Sequence, residues 1–429
     1  MKKVLMFLAL VCAFTGVWAT GSADGKAAAG KKVELTVWDF KYDEAAIGPI
    51  FKTIDEDFMK ANPGVVINHV AQPHDNYYEV IRSALASGTG PDVLLLHADQ
   101  RATAVKDALL PLDTLVASWK SEVADSSWAA TSVDGKIYGV PYTNQGIGFY
   151  YNKDLFKKAG LNPDKAPVSW NDFLAACESL KKAGIVPIVS GNASPCFTSD
   201  FIFRALVANF YGDSVKEFTK EGKASYADKE YRAAAGMIDE LQTKGYLDPN
   251  GGSINYFMDA IDGFKAGKGA IFVGLTSDIA HWKDFEDAIG MGKVGYFPNI
   301  NHPDMKYKDR QVVQGAGIQW SVTKASKNQA IAAKYIEAYT RGAGAQLFME
   351  KTGAIVPNKN INVASTTYKL LPQILTLMGT NGVKDYSMNV PVPVYNGWVK
   401  ASELFFVARS ISVDEYVKLA QESYTAARK

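Results

Sequence analysis

The chain has 429 residues, 47% of them hydrophobic and 21% charged, which is enough for two domains with separate cores and excludes disorder beyond the ends. Its 46 basic and 45 acidic residues leave a formal net charge of +1. That balance excludes the electrostatic footprint of a nucleic-acid binder and a polybasic membrane patch, and it suits a neutral ligand better than a polyanion.

At the N-terminus, Met1-Lys2-Lys3, an apolar run over 4–11 and Val17-Trp18-Ala19 read as the basic start, hydrophobic region and cleavage site of an export signal over 1–19. The run falls short of the ~20 residues of a membrane-spanning helix. Cys12 raises a lipid anchor as an alternative, although Val11 stands where such a signal places a small residue. Residues 20–32, rich in Gly, Ala and Ser, read as a flexible leader. The mature chain keeps Cys177 and Cys196, a pair that an exported protein can oxidise or, on the simpler reading, two independent thiols.

From Val33 onward strand and helix signals alternate. Residues 33–38 are extended, and Ile47, Ile50, Phe51, Ile54 and Phe58 recur at helical spacing until Asn62-Pro63-Gly64 stops them. A strand over 65–70, a helix over 77–86 and a short buried strand over 92–96 follow. Three strands with two crossover helices predict right-handed βαβ units in a largely parallel sheet. Ligands of such sheets bind beyond the carboxyl ends of the strands, which here are Trp38-Asp39-Phe40, Gln72-Pro73-His74 and His97-Ala98-Asp99.

Residues 138–141 and 147–151 both favour strand, and Thr143-Asn144-Gln145-Gly146 between them combines amide side chains with a flexible glycine. We expect the chain to pass from one lobe to the other there. Ser169 with Asp172 forms a capping-box pattern for a helix that runs to Ala183, with Gly184 as its stop. Helical patterns return at 228–244 and 329–339, Ser412 with Glu415 opens a last helix, and 270–274 and 315–322 read as strands.

The chain has no Gly-x-Ser-x-Gly elbow, no His-Glu-x-x-His and no phosphate loop. Gly315-Ala316-Gly317 suits close backbone passage at a hinge or ligand better than a dinucleotide cradle. The five histidines lack metal-ligand spacing, so neither metal nor cofactor is expected. Sugar recognition needs aromatic faces for the C–H side of a ring and planar polar groups for its hydroxyls. Trp38, Tyr142 and Trp398 are candidates for the first, and Asp39, Asp99, Asn144, Gln145 and Asn192 for the second, with His74 and His97 at the strand ends. Each has a plainer alternative: one of eight tryptophans is more often packing, and an Asp after a strand is more often a turn former.

Val140-Pro141 and Tyr151-Asn152-Lys153-Asp154-Leu155-Phe156, followed by Ser169-Trp170, resemble the family 1 extracellular solute-binding proteins of bacterial ABC importers. Ala86 through Val93 (ASGTGPDV), Phe264 through Ala270 (FKAGKGA), Ser321 through Asn328 (SVTKASKN) and Thr352 through Pro357 (TGAIVP) match in order, so the resemblance covers most of the mature chain. It implies an α/β, two-lobe periplasmic-binding-protein fold (type II), each lobe a mixed, mostly parallel sheet flanked by helices. Lobe one would hold 33–143 plus 294–323 and lobe two 144–293 plus 324–429, with the hinge near Tyr142 and Gly315. Against the family's maltose-type pattern, Asp99 matches an acid that contacts sugar hydroxyls, Gln145 falls at a ligand-contacting acid in the hinge, and Trp398 matches a stacking tryptophan. Ser277 and Cys196 fall where that pattern has further aromatics, and Phe197, Thr276 or Trp282 stand nearby as compensation.

The expected function is therefore a monomeric, exported, non-enzymatic receptor that closes on a sugar or short oligosaccharide and docks on the membrane subunits of an ABC importer. One rival is a receptor for a charged solute such as glycerol phosphate, an amino acid or a polyamine, for which Arg101 and Arg204 are the available cations. Another is a secreted glycoside hydrolase, for which Asp39 and Asp99 are the only carboxylate pair to nominate.

Overall fold

The computed structural model describes residues 32–73, 76–212, 225–276, 281–385 and 390–427. The expected export signal, Cys12, residues 20–31 of the leader, His74 and Ser277 lie outside the described residues. Among the described residues no helix is long and apolar enough to cross a membrane.

The first sheet has the strand order Val65–Ala71, Val33–Asp39, Val93–His97, Ile318–Val322, Val140–Pro141. Its first three strands are parallel, joined by the helices Gly48–Ala61 and Tyr77–Ser87, and Ile318–Val322 runs against both of its neighbours. The helix Gly48–Ala61 buries Ile50, Phe51, Ile54 and Phe58, the one-sided apolar pattern that sets a helix against a sheet. Leu94, Leu95 and Leu96 are all buried, as a central strand covered on both faces requires.

The second sheet runs Gly382–Lys384, Val312–Ala316, Asn144–Asn152, Gly269–Leu275, Val186–Ile188. Asn144–Asn152 is its spine. Residues 144–146 pair with Val312–Ala316, residues 149–152 pair on with Val294–Phe297, and the opposite edge pairs with Gly269–Leu275, every one antiparallel. Both sheets are mixed, but in the second antiparallel pairs outnumber parallel ones, because the returning strands lie against the one that brings the chain in. The sequence reading of 144–146 as an interruption is corrected too: these residues already belong to the strand. Tyr151 and Tyr296 lay their rings over Gly295 and Gly148, where a Cβ would collide with them.

Two hydrophobic cores result. The first gathers residues from 35–142, 318–322 and 332–354, and the second residues from 147–313 and 349–424. The cores divide the chain differently from the expected lobes in two places. Residues 294–313 belong with the second core, since Val294–Phe297 pairs with the spine strand. The helix Gln329–Thr340 belongs with the first, where Tyr335, Ile336 and Tyr339 pack near Phe58, Phe51 and Trp320. The chain passes between the cores at 141–144, at 316–318 and around 349–355.

Both capping boxes are present, Ser169 with Asp172 and Ser412 with Glu415. Cys177 and Cys196 are buried and unbridged.

Candidate ligand-binding cleft

The carboxyl ends of the parallel strands meet at one rim of the first sheet, where Gln72 N–H donates to the Asp39 carbonyl at 2.7 Å. Trp38 is half-buried there. Asp39 is not available to a ligand. It is fully buried; Oδ1 accepts the N–H groups of Lys41 and Tyr42 at 2.8 and 2.7 Å, and Oδ2 lies 2.8 Å from His69 Nε2. The turn-forming alternative for this aspartate is the one the structure adopts, and a buried histidine that the sequence reading passed over is the reason.

The other strand end is a polar aromatic cluster. His97 stacks on Phe40 with ring centroids 4.7 Å apart, and its Nδ1 lies 2.7 Å from the Tyr78 hydroxyl. Asp99 caps the following turn through Arg101 N–H at 2.8 Å and grips the Arg101 guanidinium, Nη2 to Oδ2 at 2.6 Å and Nε to both oxygens at 3.1 and 3.0 Å. Arg101 also lies over the Tyr78 ring at 5.1 Å. Burial presses the Arg101 pKa down, but its bonds to Asp99 outweigh that and raise it. The cation is thus matched within its own lobe.

On the second lobe, Arg204 in the helix Phe197–Tyr211 reaches Asp385 at 2.5 Å and Asp200 at 3.0 Å. Burial, with the nearby Asp385 charge, pushes the Asp200 carboxyl up to about 6 despite Arg204. Tyr395, half-buried in the helix Val392–Ser402, feels both clusters: burial and Asp200 raise its phenol to about 12, with Arg204, Arg101 and Asp99 acting on it as well.

Trp398, expected as the stacking face, sits one helical turn further on and is only 3% exposed; its indole N–H donates to the Tyr416 hydroxyl at 2.7 Å, and its ring belongs to the second core. The sequence signal was the tryptophan, whereas in the same helix it is Tyr395 that stays half-buried. Asn192 is also committed locally, its amide exchanging bonds with the Ser199 hydroxyl and backbone N–H at 2.9 and 3.0 Å. Thr276 is fully buried and its hydroxyl accepts Gly146 N–H at 2.7 Å. Phe197 remains half-buried, in ring contact with Phe201, Tyr256 and the exposed Phe257. Trp282 is fully buried.

At the crossing, Asn144 and Gln145 are half-buried and pair in register with Ala316 and Gly315, while Asn144 Oδ1 accepts the Ser127 hydroxyl at 2.7 Å. A Cβ on Gly317 would stand 2.8 Å from Thr143 Oγ1 and 3.1 Å from Gln145 Oε1, so only glycine lets the two strands pass this closely. Tyr142 is fully buried in the first core, stacked 4.5 Å from Phe348. It is a packing residue rather than a cleft wall.

The sequence signature of the bacterial extracellular solute-binding proteins matches residues 43–346. The chain belongs to that family. Among relatives of this solute-binding protein, a binding protein of Brucella abortus (strain 2308) is 29% identical over 241 residues, 55% of this chain and 56% of that protein. The chain thus spans little more than half the length of that relative. The maltodextrin-binding protein MdxE of Bacillus subtilis (strain 168) is 25% identical over 96% of this chain and 93% of its own length. A solved chitin oligosaccharide binding protein superposes with a TM-score of 0.78 at 22% identity, over 93% of this chain and 100% of that one. That likeness establishes the two-lobe fold of this solute-binding protein.

Proposed function

We propose that this protein is the exported receptor of an ABC importer and that it closes on a neutral sugar or short oligosaccharide between its lobes. One observation carries the choice of ligand class. The two cations that a charged solute would need are already neutralised, Arg101 by Asp99 and Arg204 by Asp385 and Asp200. A phosphate or carboxylate would have to displace an internal carboxylate, whereas sugar hydroxyls can share its oxygens. The half-buried Tyr395 and Phe197 supply apolar ring faces, and Asn144, Gln145, His97 and Asp99 supply hydrogen-bonding groups. Carbohydrate-binding relatives such as the maltodextrin receptor support the same reading.

Closure is favoured by ligand because only the closed form contacts it from both lobes. Membrane subunits of the importer are the partner of that form, the receptor acts as a monomer, and export proceeds by cleavage of a signal over residues 1–19. The hydrolase reading loses its carboxylate pair, since both oxygens of Asp39 are engaged in the interior.

Calorimetric titration with mono- and oligosaccharides, glycerol phosphate, amino acids and polyamines tests the reading. We expect a neutral sugar to bind with an affinity insensitive to salt. Binding of charged solutes alone, weakened by salt, would overturn the ligand class, and turnover of an oligosaccharide would overturn the receptor.

A further inference from the structure

A cavity of about 460 Å³ opens on the second lobe between Phe297 and Pro298, Ala166, Arg310 and the helix Leu370–Asn381 with its Pro372, Gln373 and Leu377. It is not part of the interlobe cleft. Phe297 pairs with Phe149, five residues along the spine strand from the crossing at Asn144, or about 17 Å at ~3.4 Å per residue.

The walls are mostly apolar, yet a guanidinium lines them. Among the described residues the only hydrogen bond of Arg310 is a long one of 3.4 Å to the Pro167 carbonyl, and burial lowers its pKa with no carboxylate offsetting the loss. Arginine stays charged in proteins, so this group is partly stripped of water and has no counter-charge among the described residues, in contrast to the matched Arg101 and Arg204. Gln373 donates its amide N–H to the Tyr296 carbonyl at 3.1 Å, which fixes the side chain at the wall.

We propose that this cavity is a second binding site, for a small monocarboxylate with an apolar body, the carboxylate paired with Arg310 and the body against Leu377 and Pro298. The planar fork of arginine matches a carboxylate with two parallel bonds, and the volume lies within the range of small-molecule sites. A single cation with apolar walls suits a monoanion better than a phosphate. The site does not depend on what the interlobe cleft binds.

The test is calorimetric titration of the purified protein with benzoate and isovalerate, with benzamide and inorganic phosphate as controls, each with and without a saturating cleft ligand. We expect saturable binding of the two carboxylates only, unchanged when the cleft is filled. Arg310→Gln should weaken it by about ten-fold or more, the loss of a charge-assisted pair, while leaving the melting temperature and cleft binding intact. Leu377→Glu, which sets a carboxylate on the facing wall, should abolish it as well. No saturable binding, equal binding of benzamide or phosphate, unaltered binding in Arg310→Gln, or competition with the cleft ligand would each overturn the proposal.

Discussion

His69 Nε2 stands 2.8 Å from Asp39 Oδ2 at the carboxyl end of the first strand, and its Nδ1 stands 2.8 Å from Asp55 Oδ2 on the other side. Asp55 also receives the hydroxyls of Tyr335 and Tyr339 at 2.6 and 2.7 Å, and the Tyr42 ring stacks on the imidazole at 4.0 Å. Two strands and two helices of the first lobe are tied by this interior network, which also holds the turn at residues 39–42.

The network predicts a pH dependence. Burial alone would lower the His69 pKa, but its bonds to Asp39 and then Asp55 outweigh burial and raise it. A raised imidazole confers stability that is complete below its unfolded value of about 6.5 and is lost as pH rises through the folded value. Resistance to urea should therefore fall as pH rises beyond about 6.5. His69→Asn should lose ~3–5 kcal/mol, the cost of leaving a buried charge unpaired, and should show no such decline with rising pH.

Tyr395 and Trp398 should separate binding from stability. On the proposed function, Tyr395→Ala weakens sugar binding by roughly 0.5–1.5 kcal/mol, the worth of an aromatic contact, with little change in melting temperature. Trp398→Phe loses the indole bond to Tyr416 and destabilises by ~1 kcal/mol while affinity holds. Titration and melting of both variants check the pair; the opposite pattern would restore Trp398 as the stacking face.

Asp200 gives a second pH window. Its carboxyl rises to about 6 through burial and the charge of Asp385, so its protonated form favours the folded state. That contribution is present below the unfolded value of about 3.9 and is lost as pH climbs through the folded value. Asp200→Asn should thus gain on the parent protein by ~2 kcal/mol in relative stability between mildly acidic and neutral pH. Parallel melts of the two proteins over that interval measure the difference.

How much of this was legible in the sequence follows the range of the interactions involved. Ser169 with Asp172 and Ser412 with Glu415 were readable because a capping box closes within four residues. The parallel strands were readable from periodicity and their breakers. Asp39 was not, since what engages it is a histidine thirty residues on, itself held by Asp55 and the tyrosines of the helix Gln329–Thr340. Tyr395 was missed for a related reason: which side of a helix is left partly exposed is set by what packs behind it, here Tyr416 and Phe203 against Trp398. That residues 294–313 pack in the second core was not legible either, because strand pairing, not local pattern, decides where they pack.

Gly317 offers a test of the crossing. With Thr143 Oγ1 and Gln145 Oε1 at 2.8 and 3.1 Å from the place of a Cβ, Gly317→Val should force the two strands apart and cost ~1–3 kcal/mol, as overpacking does elsewhere. On the proposed hinge motion it should also slow ligand association. Stopped-flow binding and denaturation would record both effects.

The first core draws on three separated stretches of chain, the last of them reaching Ala354. Its final apolar contacts cannot form until that stretch has been synthesised, so the N-terminal lobe must wait for most of the polypeptide before it can close. Truncation of the chain before residue 332 should therefore leave this core without its third stretch. The interleaving of the two cores along the chain thus makes the completeness of each depend on residues far from its start.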